Sequence, residues 1–259
     1  MLSLNARGRA IPILWRTVWK RELKGNQNRF EHELLEELKR IAPPGLKIVI
    51  LADRGFARVE LLDLVENLGF VFVIRARRSV GVRGASWSGV LYSFKARKGM
   101  RHDFGQVAYR DRGPKQVRLV LAYDRGQKEP WFLLTNLSGS LDRIVAAYAH
   151  RMQIEESFKD IKNQRNGWKL KGVDISTPER YDRLFLIIAF AWMSAAGLWG
   201  EQREIQRKWV ACSTRKRRVL SLWRVGEIVF RKHRPSLAKL EAVLSSLIMS
   251  ADGLLPANC

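Results

Sequence analysis

Residues 148–162, Tyr-Ala-His-Arg-Met-Gln-Ile-Glu-Glu-Ser-Phe-Lys-Asp-Ile-Lys, carry Tyr148, Arg151, Glu155 and Lys162 at the spacing Y-x2-R-x3-E-x6-K. Ser138 or Ser140 offers an N-cap, and neither Pro nor Gly interrupts Leu141 to Gln164, so a single helix is predicted there. At about 100° per residue, the four side chains fall within roughly 60° of one another. A phenol, a guanidinium, a carboxylate and an ammonium on one stripe suit a metal ion and a phosphate held side by side. The neighbouring stripe Ala147, Ile154, Phe158 and Ile161 is the face expected to be buried. Spacing alone fits a solvated charged face with salt-bridge geometry equally well.

Two upstream segments narrow the choice. Lys47-Ile-Val-Ile-Leu-Ala52 reads as a buried strand ending in Asp53-Arg54-Gly55-Phe56, and Trp131-Phe-Leu-Leu-Thr-Asn136 reads as another strand just before the helix. Together with Y-x2-R-x3-E-x6-K, and in the same order, they resemble the transposases of insertion sequence family 4 over about residues 5 to 200. The resemblance implies an α/β, RNase H-like mixed sheet with flanking helices, a β-rich insertion and a helical C-terminal tail. It also implies an Asp-Asp-Glu catalytic triad.

Phosphodiester cleavage needs a water or 3′-hydroxyl activated on one side of phosphorus and a leaving oxygen stabilised on the other. Two divalent ions about 4 Å apart do both, and carboxylate ligands suit Mg²⁺ or Mn²⁺. By resemblance, Asp53 at a strand's carboxyl end and Glu155 on the helix are the catalytic metal ligands of such a two-ion site. Tyr148, Arg151 and Lys162 are then the grip on the DNA backbone, with Arg54 a further DNA contact. Trp131 matches an aromatic on which some relatives stack a flipped base; a core aromatic at a strand start is the other reading of that residue. The implied partner is double-stranded DNA, both transposon ends and target, bound by a homodimer in a synaptic complex. The implied setting is a prokaryotic cytoplasm, in association with the nucleoid.

The resemblance lacks one residue. The family's first catalytic aspartate precedes a strand similar to Ala6-Arg-Gly-Arg-Ala-Ile-Pro-Ile-Leu-Trp15, and no Asp occurs here before Asp53. The expectation is an N-terminally truncated copy, inactive as it stands, arising from a decayed or split gene or from a start codon assigned too far downstream. A non-catalytic DNA-binding remnant or regulator of an intact transposase is the alternative. An RNase H-like nuclease unrelated to transposition is a third reading.

Composition points the same way more broadly. Forty-seven Lys and Arg against 25 Asp and Glu give a formal charge of +22 over 259 residues, which favours a polyanionic partner. A ribosomal or other RNA-binding protein would share that excess. Nine Trp and 46% hydrophobic residues exclude a disordered basic tail as the whole explanation. Cys212 and Cys259 cannot build a disulfide framework, and Met1 to Ala10 has no apolar signal core, so a reduced cytoplasmic protein is expected. His32-Glu33 is not followed by the second His of a zincin helix. Leu184 to Trp199 is uncharged and mostly apolar, but shorter than the roughly 20 residues of a spanning helix, and is expected to be a buried helix packed on the sheet.

Along the chain, residues 5–20 read as strand and Asn28 to Ile41 as an amphipathic helix stopped by Pro43-Pro44-Gly45. After the Asp53 strand come a helix from about Arg58 to Asn67, closed by Gly69, and a strand from Phe70 to Ala76. Short β-like runs such as Val90 to Phe94 and Val117 to Tyr123 mark residues 77–130 as a β-rich insertion, or as more sheet of the same domain. The division expected is a catalytic core over 1–200, interrupted by 77–130, followed by a basic helical tail over 201–259.

Overall fold

A computed structural model describes residues 1–6, 8–110, 113–162 and 174–199, with side chains to Ala191 in the last segment, together with Ser236 and Ala238. The expected basic tail, residues 201–259, lies outside the described residues apart from those two. The chain divides into two compact units, Lys24–Met152 and a second made of Met1–Leu23 with Gln153–Cys259.

The Lys24–Met152 unit is built on a seven-stranded mixed sheet. Its strands are β3 (Val49–Ala52), β4 (Val71–Arg75), β5 (Gly81–Gly84), β6 (Ser88–Val90), β7 (Met100–Tyr109), β8 (Lys115–Tyr123) and β9 (Trp131–Thr135), in the spatial order β3-β4-β9-β8-β7-β5-β6. β3 and β4 run parallel, with Ala52 opposite Ile74, and every other pair is antiparallel. This mixed sheet with flanking helices is the RNase H-like α/β class that the resemblance implies. Strands β5 to β8, from the stretch expected as an insertion, are hydrogen-bonded into the same sheet.

β4 shows why the strands sit where they do. Phe72, Val73 and Ile74 are all fully buried, the continuous apolar run of a strand covered on both faces. Val73 joins Val120, Ala122 and Leu133 in a layer against Ile144, Val145 and Tyr148 of α4 (Leu141–Ala149). α3 (Val59–Asn67) buries Leu61, Leu62 and Val65 and also packs on β4. α2 (Gln27–Ile41) buries Phe30, Leu35 and Leu38 and meets α3. Ser140 is the N-cap of α4, its hydroxyl accepting the Arg143 amide at 3.3 Å.

Thr135 and Asn136 staple β9 to β4 where the ladder ends. The Thr135 hydroxyl donates to the Phe72 carbonyl at 2.6 Å and accepts the Leu137 amide at 2.9 Å, while Asn136 Oδ1 accepts the Phe72 amide at 2.8 Å. Thr135 is fully buried, so Thr135→Val keeps the shape and strands two polar backbone groups. The expected cost is about 1–3 kcal/mol, measured as a lower urea midpoint at unchanged slope.

The second unit opens with a hairpin rather than the single strand expected over 5–20: β1 (Leu2–Ala6) and β2 (Arg9–Leu14) pair antiparallel. Gly8, at φ +88°, makes the turn that divides them, and the chain then enters the short helix α1 (Lys20–Leu23). β2 is tied to α5 (Met152–Lys162) by an Arg9 Nε–Asp160 ion pair at 2.6 Å and by the Ala10 amide donating to the Ser157 hydroxyl at 2.8 Å. It is followed by Trp15, whose indole N–H donates to the Asp182 carbonyl of α6 (Pro178–Trp199) at 3.1 Å. Ile161 of α5 and Ile188 of α6 are the centre of this unit's described core. α6 contains the apolar stretch expected to be buried, and over its described side chains Ile188 is covered while Ile187 is 61% exposed. No described helix is long and apolar enough to cross a membrane.

Another expectation changes at Val90 to Phe94, where β6 stops at Val90 and a 3₁₀ turn, Leu91–Ser93, replaces the strand.

Candidate active site

The helix predicted over Leu141 to Gln164 is two helices. α4 ends at Ala149, a turn at His150–Arg151 follows, and α5 starts at Met152. The Arg151 amide donates to the Tyr148 carbonyl at 2.9 Å and the His150 amide to the Ala147 carbonyl at 3.2 Å, the tight i to i+3 bonds of a closing helix turn. No Pro or Gly announces this break. Tyr148 and Arg151 therefore belong to the Lys24–Met152 unit, and Glu155 and Lys162 to the other. The angular argument for one shared stripe holds only within each helix.

Within its own unit, Glu155 is exposed in the first turn of α5, where a carboxylate meets the positive end of the helix dipole. Lys162 is exposed in the last turn, with its ammonium 5.2 Å from the Phe158 ring centroid.

In the sheet unit, Asp53 follows β3 directly. Because β3 and β4 are parallel, their carboxyl ends lie at the same edge, and the loops after them meet. The result is a cleft of about 580 Å³ lined by Asp53, Arg54, Gly55, Arg77, Arg78 and Ser79. Asp53 Oδ1 is buried and has no hydrogen-bond partner among the described residues, and the same is true of Arg78 Nε. Orphaned polar atoms of this kind at a cleft call for an explanation, and a bound group supplies one. Glu129 pairs with Arg75 at 2.8 Å and reaches Arg54 at 3.8 Å, so Arg54 is only loosely neutralised.

Tyr148, predicted on the polar stripe, is one of the most buried residues of α4, at 1% exposed. It packs edge-on against Trp131, with centroids 5.0 Å apart, and the Arg151 guanidinium lies 5.7 Å from its ring. Trp131 is half-buried against the same cluster. Burial pushes the Tyr148 phenol up to about 12, Arg151 opposing the shift and the charge of Asp53 adding to it. The phenol is therefore a neutral donor at any physiological pH.

The sign of the linkage follows from that shift. A phenol with a folded value of about 12 against an ordinary 10.0 holds its proton in the native state after the unfolded chain has released it. Its stabilising contribution is complete below pH 10 and is lost as pH rises towards 12. Relative to Tyr148→Phe, the wild type should lose about 2–3 kcal/mol across that window, measured by chemical denaturation at successive pH values.

The comparisons with known proteins accord with this geometry. The family model described as a transposase DDE domain matches residues 24–193, more than half of the chain. The chain belongs to that family. No curated protein matches it. As a transposase domain, it acts on DNA in a family that uses divalent metal ions.

Arg77 and Arg78 were not singled out from sequence, although both line the cleft. Their one sequence signal is position: they follow the carboxyl end of a strand parallel to the Asp53 strand. Tyr109 and Arg110 also reach the Asp53 turn, since the Tyr109 hydroxyl donates to the Ala57 carbonyl at 3.1 Å and Arg110 Nη2 to the same oxygen at 3.3 Å. Nothing local in the sequence marks them, because β7 brings them there through long-range pairing. Arg110 is also the one described non-glycine residue at positive φ, +72°, a conformation that costs about 1–3 kcal/mol.

The donor chemistry at Asp53 fits a hard divalent cation, since a buried carboxylate oxygen without a hydrogen bond is a free ligand for one. Among the described residues no three His, Cys, Asp or Glu side chains gather as a metal site.

Proposed function

We propose that this transposase domain is of the insertion sequence family 4 type, with Asp53 and Glu155 as its metal-holding carboxylates and the arginine cleft as the seat of a DNA phosphate. The observation that carries the reading is the orphaned Asp53 oxygen at the edge of a cleft lined by Arg54, Arg77 and Arg78.

In this reading Mg²⁺ or Mn²⁺ supplies Lewis-acid polarisation of the scissile phosphate, two ions being expected where the triad is complete. Asp53 and Glu155 are the residues of this chain that hold them. The guanidinium of Arg54, poorly neutralised by Glu129, and that of Arg78 take phosphate oxygens through their planar forks. Arg151 and Lys162 add positive charge along the backbone of the DNA, and Trp131 is the aromatic on which a base stacks. Tyr148, kept protonated by burial, orients Arg151 and Trp131 from beneath.

Asp53 and Glu155 are two of the three carboxylates that such a triad uses. The protein binds DNA and pairs as a homodimer on transposon ends. A non-catalytic DNA-binding remnant that regulates an intact enzyme is the second reading.

A gel-shift titration with a duplex oligonucleotide tests the cleft. Arg54→Ala with Arg78→Ala should weaken binding by about 10-fold or more, at about 1–3 kcal/mol for charge-assisted contacts, while Asp53→Ala leaves binding intact or tightens it. Unchanged affinity in the double arginine variant would remove the cleft from the DNA path. If Asp53→Ala with Glu155→Ala changes no measurable activity while Arg151→Ala weakens binding, the remnant reading replaces the catalytic one.

A further inference from the structure

We propose that Tyr109, Arg110 and Arg77 are positioning residues for Asp53, clamping the backbone turn that carries its carboxylate. The inference deepens the reading of Asp53 as a metal ligand and rests on it.

Asp53 lies at the start of a 3₁₀ turn, Arg54–Phe56, three residues long and otherwise exposed. Such a turn satisfies few of its own carbonyls. The Asp53 carbonyl accepts the Phe56 amide at 2.9 Å, and the Phe56 carbonyl accepts the Arg58 amide at 2.8 Å. The Arg54 carbonyl accepts only a long 3.5 Å bond from the Ala57 amide and takes a side-chain donor as well, and those of Gly55 and Ala57 take side-chain donors. Arg77 Nε donates to Arg54 at 3.1 Å and Arg77 Nη2 to Gly55 at 3.5 Å. Ala57 is buried, so water cannot serve its carbonyl; Tyr109 Oη and Arg110 Nη2 do, at 3.1 and 3.3 Å.

Three donors from two separate places, the loop after β4 and the end of β7, thus converge on one turn beside Asp53. Each has a rigid or planar head. The Tyr109 ring is fully buried, and desolvation holds its phenol above the ordinary value, so it remains a hydrogen-bond donor. Arg110 is held in the left-handed region with its amide donating to the Gly81 carbonyl at 3.0 Å. From there its side chain points back to Ala57. Gly55 has no neighbour within 4 Å of where a Cβ would sit, so nothing packs on the turn at that point. The side-chain donors hold it there. A metal ligand must be held within a fraction of an ångström, and groups that hold the ligand's backbone act on metal affinity as other outer-sphere partners do.

Tyr109→Phe removes one hydroxyl from the full chain and tests the clamp in two ways. Hydrogen exchange of the Phe56 amide, the donor to Asp53, should speed up about 10-fold or more, with the β8 and β9 amides unchanged. Mn²⁺ affinity, read from the paramagnetic resonance signal of the free ion, should fall about 10-fold at an unchanged melting temperature. In an Asp53→Asn background the same substitution should have no further effect on Mn²⁺. Arg110→Lys, which keeps a donor, should sit between wild type and Arg110→Ala in both readouts. Unchanged exchange at Phe56 in Tyr109→Phe overturns the clamp whatever the metal result. If wild type binds Mn²⁺ no better than Asp53→Asn, the metal-ligand reading itself falls, an outcome separate from the exchange result.

Discussion

Phe72→Ala should remove about 3–5 kcal/mol of the sheet unit's stability. Phe72 is fully buried in β4, between the layers that α3 and α4 cover, and its backbone is fixed by Asn136 and Thr135 on one side and by parallel pairing with β3 on the other. The backbone cannot move in to fill the space, so the cavity remains. Phe-to-Ala changes at such sites cost about 3–5 kcal/mol, against about 5–15 kcal/mol of total stability. Urea denaturation followed by tryptophan fluorescence reads the loss, with Ile74→Val as the mild control at about 0.5–1.5 kcal/mol. A Phe72→Ala protein within about 1 kcal/mol of wild type would mean that β4 is not the centre of this sheet.

The other large effect is electrostatic. A chain at +22 whose cleft presents three arginines should bind duplex DNA mainly by displacing counterions. If it covers 6–10 phosphates, raising the salt from about 50 to 200 mM should lower affinity by about 10³–10⁵. The log–log slope, at roughly −0.9 per phosphate, counts the contacts, and Arg54→Ala with Arg78→Ala should flatten it by about two phosphates. A slope near zero would contradict the electrostatic account of binding.

Much of the sheet unit was legible because its signals are local. The Asp53 strand, the amphipathic helix before it, the Arg58 to Asn67 helix and the Trp131 strand all emerged near their predicted places, through apolar runs bounded by Gly, Pro or a cap. The hairpin of the first 14 residues was missed because Gly8 was read as part of a strand rather than as a positive-φ turn. The break at His150–Arg151 had no local signal at all. It divides the Y-x2-R-x3-E-x6-K residues between two helices, and Tyr148 turns into the core with Ile144 and Val145.

The candidate site divides in the same way. A family pattern names Asp53 and Glu155, and adjacency adds Arg54; of these, Asp53 and Arg54 line the cleft. Arg77 and Arg78 depend on β3 and β4 being parallel neighbours, and Tyr109 and Arg110 on the pairing of β7 into the sheet. Those are facts of topology, which residue spacing does not carry.

Iron-directed cleavage of the polypeptide tests the central claim most directly. Fe²⁺ with ascorbate and peroxide, bound in place of Mg²⁺, breaks the backbone near its ligands whether or not the protein can cut DNA. The account predicts fragments ending near Asp53 and near Glu155, suppressed by excess Mg²⁺ and lost in Asp53→Asn. Scission elsewhere, or scission that survives both Mg²⁺ and Asp53→Asn, would contradict it.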